Sequence, residues 1–328
     1  MIVCEFIARN LPVEQGYYLA DVSNVDPIAH REPNRIATSS TGWFLENARS
    51  RVINNEGFLH DEDYNDSLRT PLVVIVGDSQ VAAPTIEFED SIQARLSRGK
   101  TWATRFYTFA MSGAPLSQYV VWTKYANKKF NPDAVVFVIS PNDFRESFNE
   151  AGLFDGFHYF VREPSGNMRL MPRLHRRTFR SKLVEFSSLI AYLVHNIRLP
   201  DLISSAFGSA ESQSQNDIEF LIEWFFYELD ELGLSPKDVA FVVSPIEDRV
   251  YLSETCSPSK PNWTVERFLE AISQKGFYYA DLTEFFCRDY RVNGKELELP
   301  GDIHWNSEGH RVLADALSQL LHSLDPKQ

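Results

Sequence analysis

Leu72-Val-Val-Ile-Val76 is an unbroken apolar run, rich in β-branched residues, that stops at Gly77. A run this short, closed by a turn residue, is the pattern of a strand buried on both faces of a parallel sheet. The pattern recurs in Trp102–Phe109, Ala134–Ile139, Val239–Val243 and Phe277–Ala280. Amphipathic segments separate most of these runs: Glu87–Arg98, Gln118–Lys128, Ile218–Leu232 and Thr264–Lys275. A last one, Ser307–Leu324, places Val312, Leu313, Ala316, Leu317, Leu320 and Leu321 on one helical stripe, with Ser307 as the expected cap. Strands alternating with helices call for βαβ units and a sheet covered on both sides.

Composition narrows the function classes. The chain has 328 residues with 44% hydrophobic and 23% charged side chains, which suits a packed protein and not a disordered one. Its net charge of −13 repels phosphate backbones, so nucleic acid is not an expected partner. Three cysteines cannot build a disulfide scaffold; Cys256 and Cys287 read either as a pair, in an exported protein, or equally as free buried thiols. No apolar stretch is long enough for a complete transmembrane helix. Met1–Leu11 reads either as an ordinary amphipathic turn or as the tail of a membrane anchor lying upstream. The compartment stays open, an extracytoplasmic one being suspected and a cytoplasmic one also compatible with the residues. The 24 Phe residues point to a large core and an aromatic-lined cleft.

Residues 1–69 read as an irregular extension packed on a main domain of residues 70–328. Within the extension, Asn54-Asn-Glu-Gly57 supplies turn chemistry between two short extended pieces, Gly42–Leu45 and Gly57–Leu59. An insertion at about 144–215 breaks the strand–helix alternation, with a turn at Pro164–Asn167 and a helix near Phe186–Ile197. Phe207–Gln215 reads as a mobile loop.

Sites in open α/β sheets form at the carboxyl ends of the strands. The segments in those positions are Gly77-Asp78-Ser79-Gln80, Ala110–Pro115 around Gly113, and Ser140-Pro141-Asn142-Asp143. Before the closing helix stands Gly301-Asp302-Ile303-His304-Trp305-Asn306. These blocks, in this order, resemble those of the SGNH (GDSL-type) hydrolases over roughly residues 70–325. Gly77-Asp78-Ser79 is similar to the nucleophile block, Gly113 to the second-block glycine, Asn142 to the third block and Asp302-Ile-His304 to the last. Ser140 stands where the third block usually has glycine. Asn54–Phe58 also resembles the lead-in of a bacterial subset that acylates or deacylates polysaccharides. The resemblance implies a three-layer α/β/α sandwich, flavodoxin-like, with a central parallel sheet of about five strands.

The residues support the chemistry independently. A serine hydroxyl needs a base to become a nucleophile, and His304 is the candidate. Asp302, two residues away, is placed to accept the imidazole N–H and fix its tautomer. The backbone N–H groups of Ser79 and Gly113 and the Asn142 amide are the expected oxyanion donors. Asp143 is read as a structural partner. His310 is the rival base, expected on the surface of the closing helix; Trp305 either contacts substrate or packs the loop. The chain order Ser, Asp, His matches the α/β-hydrolases, but no Gly-x-Ser-x-Gly elbow is present. No glycine-rich phosphate loop follows a strand and no His/Cys spacing fits zinc, so no cofactor or metal is expected. Arg169, Arg173, Arg176, Arg177, Arg180 and Lys182 form a basic run read as a solvated face, with an anionic polymer, membrane or partner subunit as alternatives.

The expected activity is transfer of a short acyl group, such as acetyl, from an ester of a small molecule or polysaccharide. Water as acceptor makes an esterase, and a sugar hydroxyl an acyltransferase. The rivals are a lipase or thioesterase and a silent carbohydrate-binding or assembly subunit.

Overall fold

The computed structural model describes residues 2–149, 154–198, 213–244, 250–253, 255–256 and 262–325. Five strands make the central sheet: β3 (Leu72–Gly77), β4 (Arg105–Ala110), β5 (Ala134–Ile139), β8 (Val239–Val243) and β9 (Tyr278–Asp281). They run parallel in the order β4-β3-β5-β8-β9. Every residue of β3, β5 and β8 is buried, as their unbroken apolar composition requires. Alternate residues face two separate cores. Val74, Val76, Phe109, Phe137 and Phe241 pack on one side with the helices Leu116–Phe130, Gln215–Glu231 and Trp263–Gln274. Val73, Ile75, Val136 and Val242 pack on the other with Ile92–Arg98, Leu282–Asn293 and Ser307–Ser323. The result is an α/β/α sandwich. Each such buried Val or Phe contributes roughly 1.5–3 kcal/mol of transfer free energy.

Most of the aromatic payload serves this core. Phe137, Phe225, Phe226, Phe241, Phe268 and Phe277 form one ring network with centroids 5.1–6.1 Å apart. Because β3 sits between β4 and β5, the chain leaves it in opposite directions, and a crevice opens at the carboxyl ends of these strands.

Several local expectations need correction. In the extension the regular hairpin is β1 (Arg35–Thr41) with β2 (Glu46–Ile53), turning through 42–45, where an extended piece was expected. Asn54 still makes its turn: its side-chain oxygen accepts the Glu56 and Phe58 N–H groups, and Ile53 bridges to Leu59. The second strand starts only at Arg105, because Trp102 turns aside to donate its ring N–H to the Leu321 carbonyl at 2.6 Å. The helix Leu282–Asn293 has no counterpart in the sequence reading. Asp281 ends β9 and, at once, caps that helix by accepting the Thr283 N–H, so no loop residue announces it. The closing helix is capped by Asn306, not Ser307, its side-chain oxygen accepting the N–H groups of Glu308 and Gly309. Cys256 and Cys287 form a disulfide.

In the insertion, β6 (His158–Arg162) and β7 (Met168–Pro172) form a hairpin around the expected turn. Helices Phe179–Phe186 and Ser188–Ala191 follow, the latter running into a π-helical turn over Tyr192–Asn196. The expected loop at Phe207–Gln215 lies mostly outside the described residues; Gln215 itself opens a helix capped by Ser214. At the other end, Ile2–Ala8 is a short helix held by Glu5, whose carboxylate accepts the Ser187 hydroxyl and the N–H groups of Ser188 and Leu189. Among the described residues, no helix is long and apolar enough to cross a membrane.

Candidate active site

The first candidate block follows β3 directly. Asp78 caps the turn Ser79–Ala82, its carboxylate accepting the Gln80 N–H at 2.9 Å. A side chain on Gly77 would collide with Val81, so glycine lets this turn fold back tightly on the strand. Ser79 is half-buried. Among the described residues neither its hydroxyl nor its backbone N–H has a hydrogen-bond partner, and no bond joins it to His304.

The second component is the loop before the closing helix. Asp302 and His304 face one another with Oδ1 and Nδ1 2.7 Å apart. The same Asp302 oxygen accepts the Ile303 N–H at 2.7 Å and the His304 N–H at 3.3 Å. Backbone bonds from Leu299 to the His304 carbonyl and from Asp302 to the Leu299 carbonyl hold the loop. A proton on Nδ1, directed at Asp302, leaves the Nε2 lone pair free to accept one. Burial opposes charge on this imidazole, but Asp302, by hydrogen bond and charge, and the Asp78 carboxylate outweigh it and raise the His304 pKa. The hydrogen bond from His304 in turn lowers that of Asp302, against the effect of burial.

Gln80 ties these two loops together and was not singled out from the sequence. Its side-chain N–H donates to the Ile303 carbonyl at 3.1 Å, and its side-chain oxygen accepts the Trp305 N–H at 3.0 Å. The amide thus grips the main chain on both sides of His304. No sequence signal marks this role, because a glutamine after Asp-Ser reads as an ordinary first-turn residue.

The remaining candidates flank this pair. Gly113 has φ +72°, and a Cβ there would collide with the ring of Phe154, so only glycine fits. Its N–H has no acceptor among the described residues. Asn142 donates one amide hydrogen to Glu146 at 3.0 Å, which orients the side chain and leaves its second hydrogen open. Asp143 is fully buried and accepts the Ser140 N–H at 2.7 Å and the Tyr119 hydroxyl at 2.9 Å. Burial raises the pKa of Asp78, Asp143 and Glu146; for Asp143 the nearby Asp78 carboxyl adds to the effect.

His310 does not lie on the surface. It is 1% exposed, packs 6.1 Å from the Trp305 ring, and has its pKa pushed down to about 3 by burial. It stands three and seven residues before Leu313 and Leu317, on the buried stripe of the helix, and so faces inward. Trp305 is buried as well, edge-on to Phe286 at 5.6 Å, and packs the loop.

A cleft of about 650 Å³ opens beside Asp302 and His304. Ser79, Gly113 and Asn142 are not among its lining residues; Met111 and Ser112 are. Its other walls come from the extension (Glu14, Tyr17, Leu19, Arg31, Ser39, Thr41), from Pro84 and Thr85, and from the insertion (Phe154, Asp155, Phe157, His175). Two members of the basic run belong to this framework: Arg177 pairs with Glu32 at 2.9 Å and with Glu185, and Arg173 donates to Asn149 and covers the Tyr159 ring, whereas Arg169, Arg176, Arg180 and Lys182 are exposed. Among the described residues no cluster of His, Cys, Asp and Glu is arranged to hold a metal ion.

No family model matches the chain. No curated protein matches it either. Among solved structures it is similar to LAE5, an alpha/beta hydrolase from the metagenome of Lake Arreo, Spain, with 14% identity, a TM-score of 0.42 and coverage of 78% of this chain and 96% of that one. It is also similar to the acetyl xylan esterase AlAXEase, with 13% identity, a TM-score of 0.42 and coverage of 76% and 98%. A GDSL-like lipase from Bacteroides thetaiotaomicron gives 9% identity, a TM-score of 0.40 and coverage of 79% and 92%. Likeness at this level does not bear on the chemistry.

Proposed function

We propose that the chain is a serine-dependent ester hydrolase of the SGNH type, with Ser79, His304 and Asp302 as its triad. The carrying observation is the Gln80 clasp. Asp78 acts electrostatically on His304, and Gln80 grips residues 303 and 305, so the two neighbours of Ser79 both engage the histidine loop. A rotation of the Ser79 side chain then completes the bond to Nε2 in the substrate complex, where catalytic hydrogen bonds tighten.

In this reading Ser79 Oγ attacks the ester carbonyl while His304 Nε2 takes its proton. Asp302 steadies the imidazolium that forms. The negative charge on the carbonyl oxygen meets the N–H groups of Ser79 and Gly113 and the free hydrogen of the Asn142 amide. His304 returns the proton to the leaving alcohol, and the acyl-enzyme passes its acyl group to water or to a sugar hydroxyl. The cleft is broad and carries hydroxyl and charged groups beside its aromatic rings, which suits a short acyl group on a carbohydrate better than a lipid chain.

Ser79→Ala tests the triad. Hydrolysis of p-nitrophenyl acetate is expected to fall by about 10⁴-fold or more, and labelling by a fluorophosphonate probe to vanish. A variant that keeps both activities would refute the mechanism, and wild-type preference for long-chain over acetyl esters would refute the substrate class.

A further inference from the structure

Arg31 is 5% exposed, yet its guanidinium makes no hydrogen bond or ion pair among the described residues. Its one described partner is the face of the Tyr17 ring, 5.0 Å away. Arg31 Nη1 and the Tyr17 hydroxyl are both buried without a hydrogen-bond partner, and both residues line the cleft that holds His304. The position is fixed from the backbone: the Arg31 N–H donates to the Gly57 carbonyl at 3.0 Å, and Leu19 bridges to Arg31. The contrast with Arg51 is instructive. That residue, equally buried, donates to the Ala83 and Ile86 carbonyls at 3.0 and 3.2 Å and lies 3.9 Å from Asp61. Arg51 also keeps Nε and Nη2 without a hydrogen-bond partner, but its carbonyl bonds and the nearby Asp61 offset part of the cost of burial, and among the described residues Arg31 has neither.

The other charged groups of the cleft do not fill that gap. Asp302 is engaged by His304, and Asp155 lies 3.7 Å from His175. Burial pushes the Glu14 carboxyl toward its neutral form, opposed by Arg198. Tyr17, its pKa driven up to about 12 by burial, stays a neutral O–H donor.

We propose that Arg31 and Tyr17 form a subsite for an anionic substituent, a carboxylate or sulfate, on the glycan whose ester the active site cleaves. The planar guanidinium fork offers two parallel N–H donors to such a group, and the phenol adds a third. The identification of a glycan ester rests on the function proposed above; the anion site itself stands on Arg31 and Tyr17.

Calorimetric titration of the whole chain separates the two, because binding needs no turnover. The probes are a galacturonate trimer, the matching neutral galactose trimer, and a galactose trimer carrying sulfate esters. At least one anionic trimer is expected to bind about tenfold or more tighter than the neutral one, with affinity falling as salt rises. Whichever anionic trimer binds tighter identifies the substituent. Arg31→Gln is expected to abolish that preference and Arg31→Lys to restore part of it. Tyr17→Phe keeps the ring beneath Arg31 and is expected to weaken the anionic trimer about threefold, so it tests the site even where Arg31→Gln fails to fold. Equal binding of all three trimers, or a preference untouched by Arg31→Gln and Tyr17→Phe, would overturn the proposal. Anion binding in a protein that fluorophosphonate does not label would uphold the subsite and defeat the esterase reading.

Discussion

The carboxyl edge of the sheet and the collar around the cleft are built in opposite ways. At the edge, Ser79, Gly113 and Asn142 follow closely on buried parallel strands, and the Asp302–His304 loop is pinned by backbone bonds and by Gln80. The collar is contributed by residues distant in sequence, from the extension and the insertion, joined by ion pairs such as Arg177 with Glu32. Both regions reach the core, Phe157 of the collar being buried with Phe109 and Phe137, but the edge follows directly from the sheet strands whereas the collar is tied between segments distant in sequence. In the proposed function this difference gives chemistry to the edge and selection of substrate to the collar. Substitutions at the edge should therefore lower kcat for every ester, whereas those in the collar should change which ester is preferred.

After Ser79→Ala, the largest effect is expected from Asp302→Asn, which should lower kcat/KM by about 10³–10⁴-fold through loss of the oriented tautomer. Its pH profile sharpens the point. In the proposed mechanism the base works only when neutral, so the raised pKa of His304 should put the acidic limb of the wild-type profile above the ordinary histidine value. Without the carboxylate, burial dominates, so the limb should move to lower pH in the variant. A limb that does not move would separate Asp302 from the titration of His304.

Gln80→Leu comes next. The side chain keeps its bulk but loses both bonds to the histidine loop, and kcat should fall roughly 10²-fold with little change in KM. A rise in KM at constant kcat would move Gln80 from positioning to binding.

In the collar, Phe154→Ala removes the ring that packs against Gly113. Comparing acetyl with hexanoyl p-nitrophenyl esters, the ratio of their kcat/KM values should shift toward the longer chain by about tenfold. An equal loss for both esters would place Phe154 with the edge. The smallest effect belongs to Arg177→Ala, which breaks the ion pairs to Glu32 and Glu185. Thermal unfolding should report about 1 kcal/mol or less, with kcat for p-nitrophenyl acetate unchanged.

What could be read in advance follows from range. β5 was legible to the residue, because a fully buried parallel strand must be apolar throughout. The spacing of Asp302 and His304 was legible for a similar reason, since two residues in an extended loop can meet with modest bending. The helix after β9 was not, because Asp281 serves strand and cap together. His310 was misjudged as a surface residue because it is polar, although its spacing from Leu313 and Leu317 puts it on the stripe that faces the core.

By itself, the sequence determined the layers, the strand runs and the blocks that carry candidate chemistry, since these depend on local periodicity and on turns next to buried strands. Tertiary structure alone decided that Gln80 holds the loop of His304, that Phe154 covers Gly113, and that Arg31 enters the cleft without an acid. Each of these contacts joins residues from separate elements, up to 225 positions apart for Gln80 and Trp305, and depends on packing that no local pattern encodes.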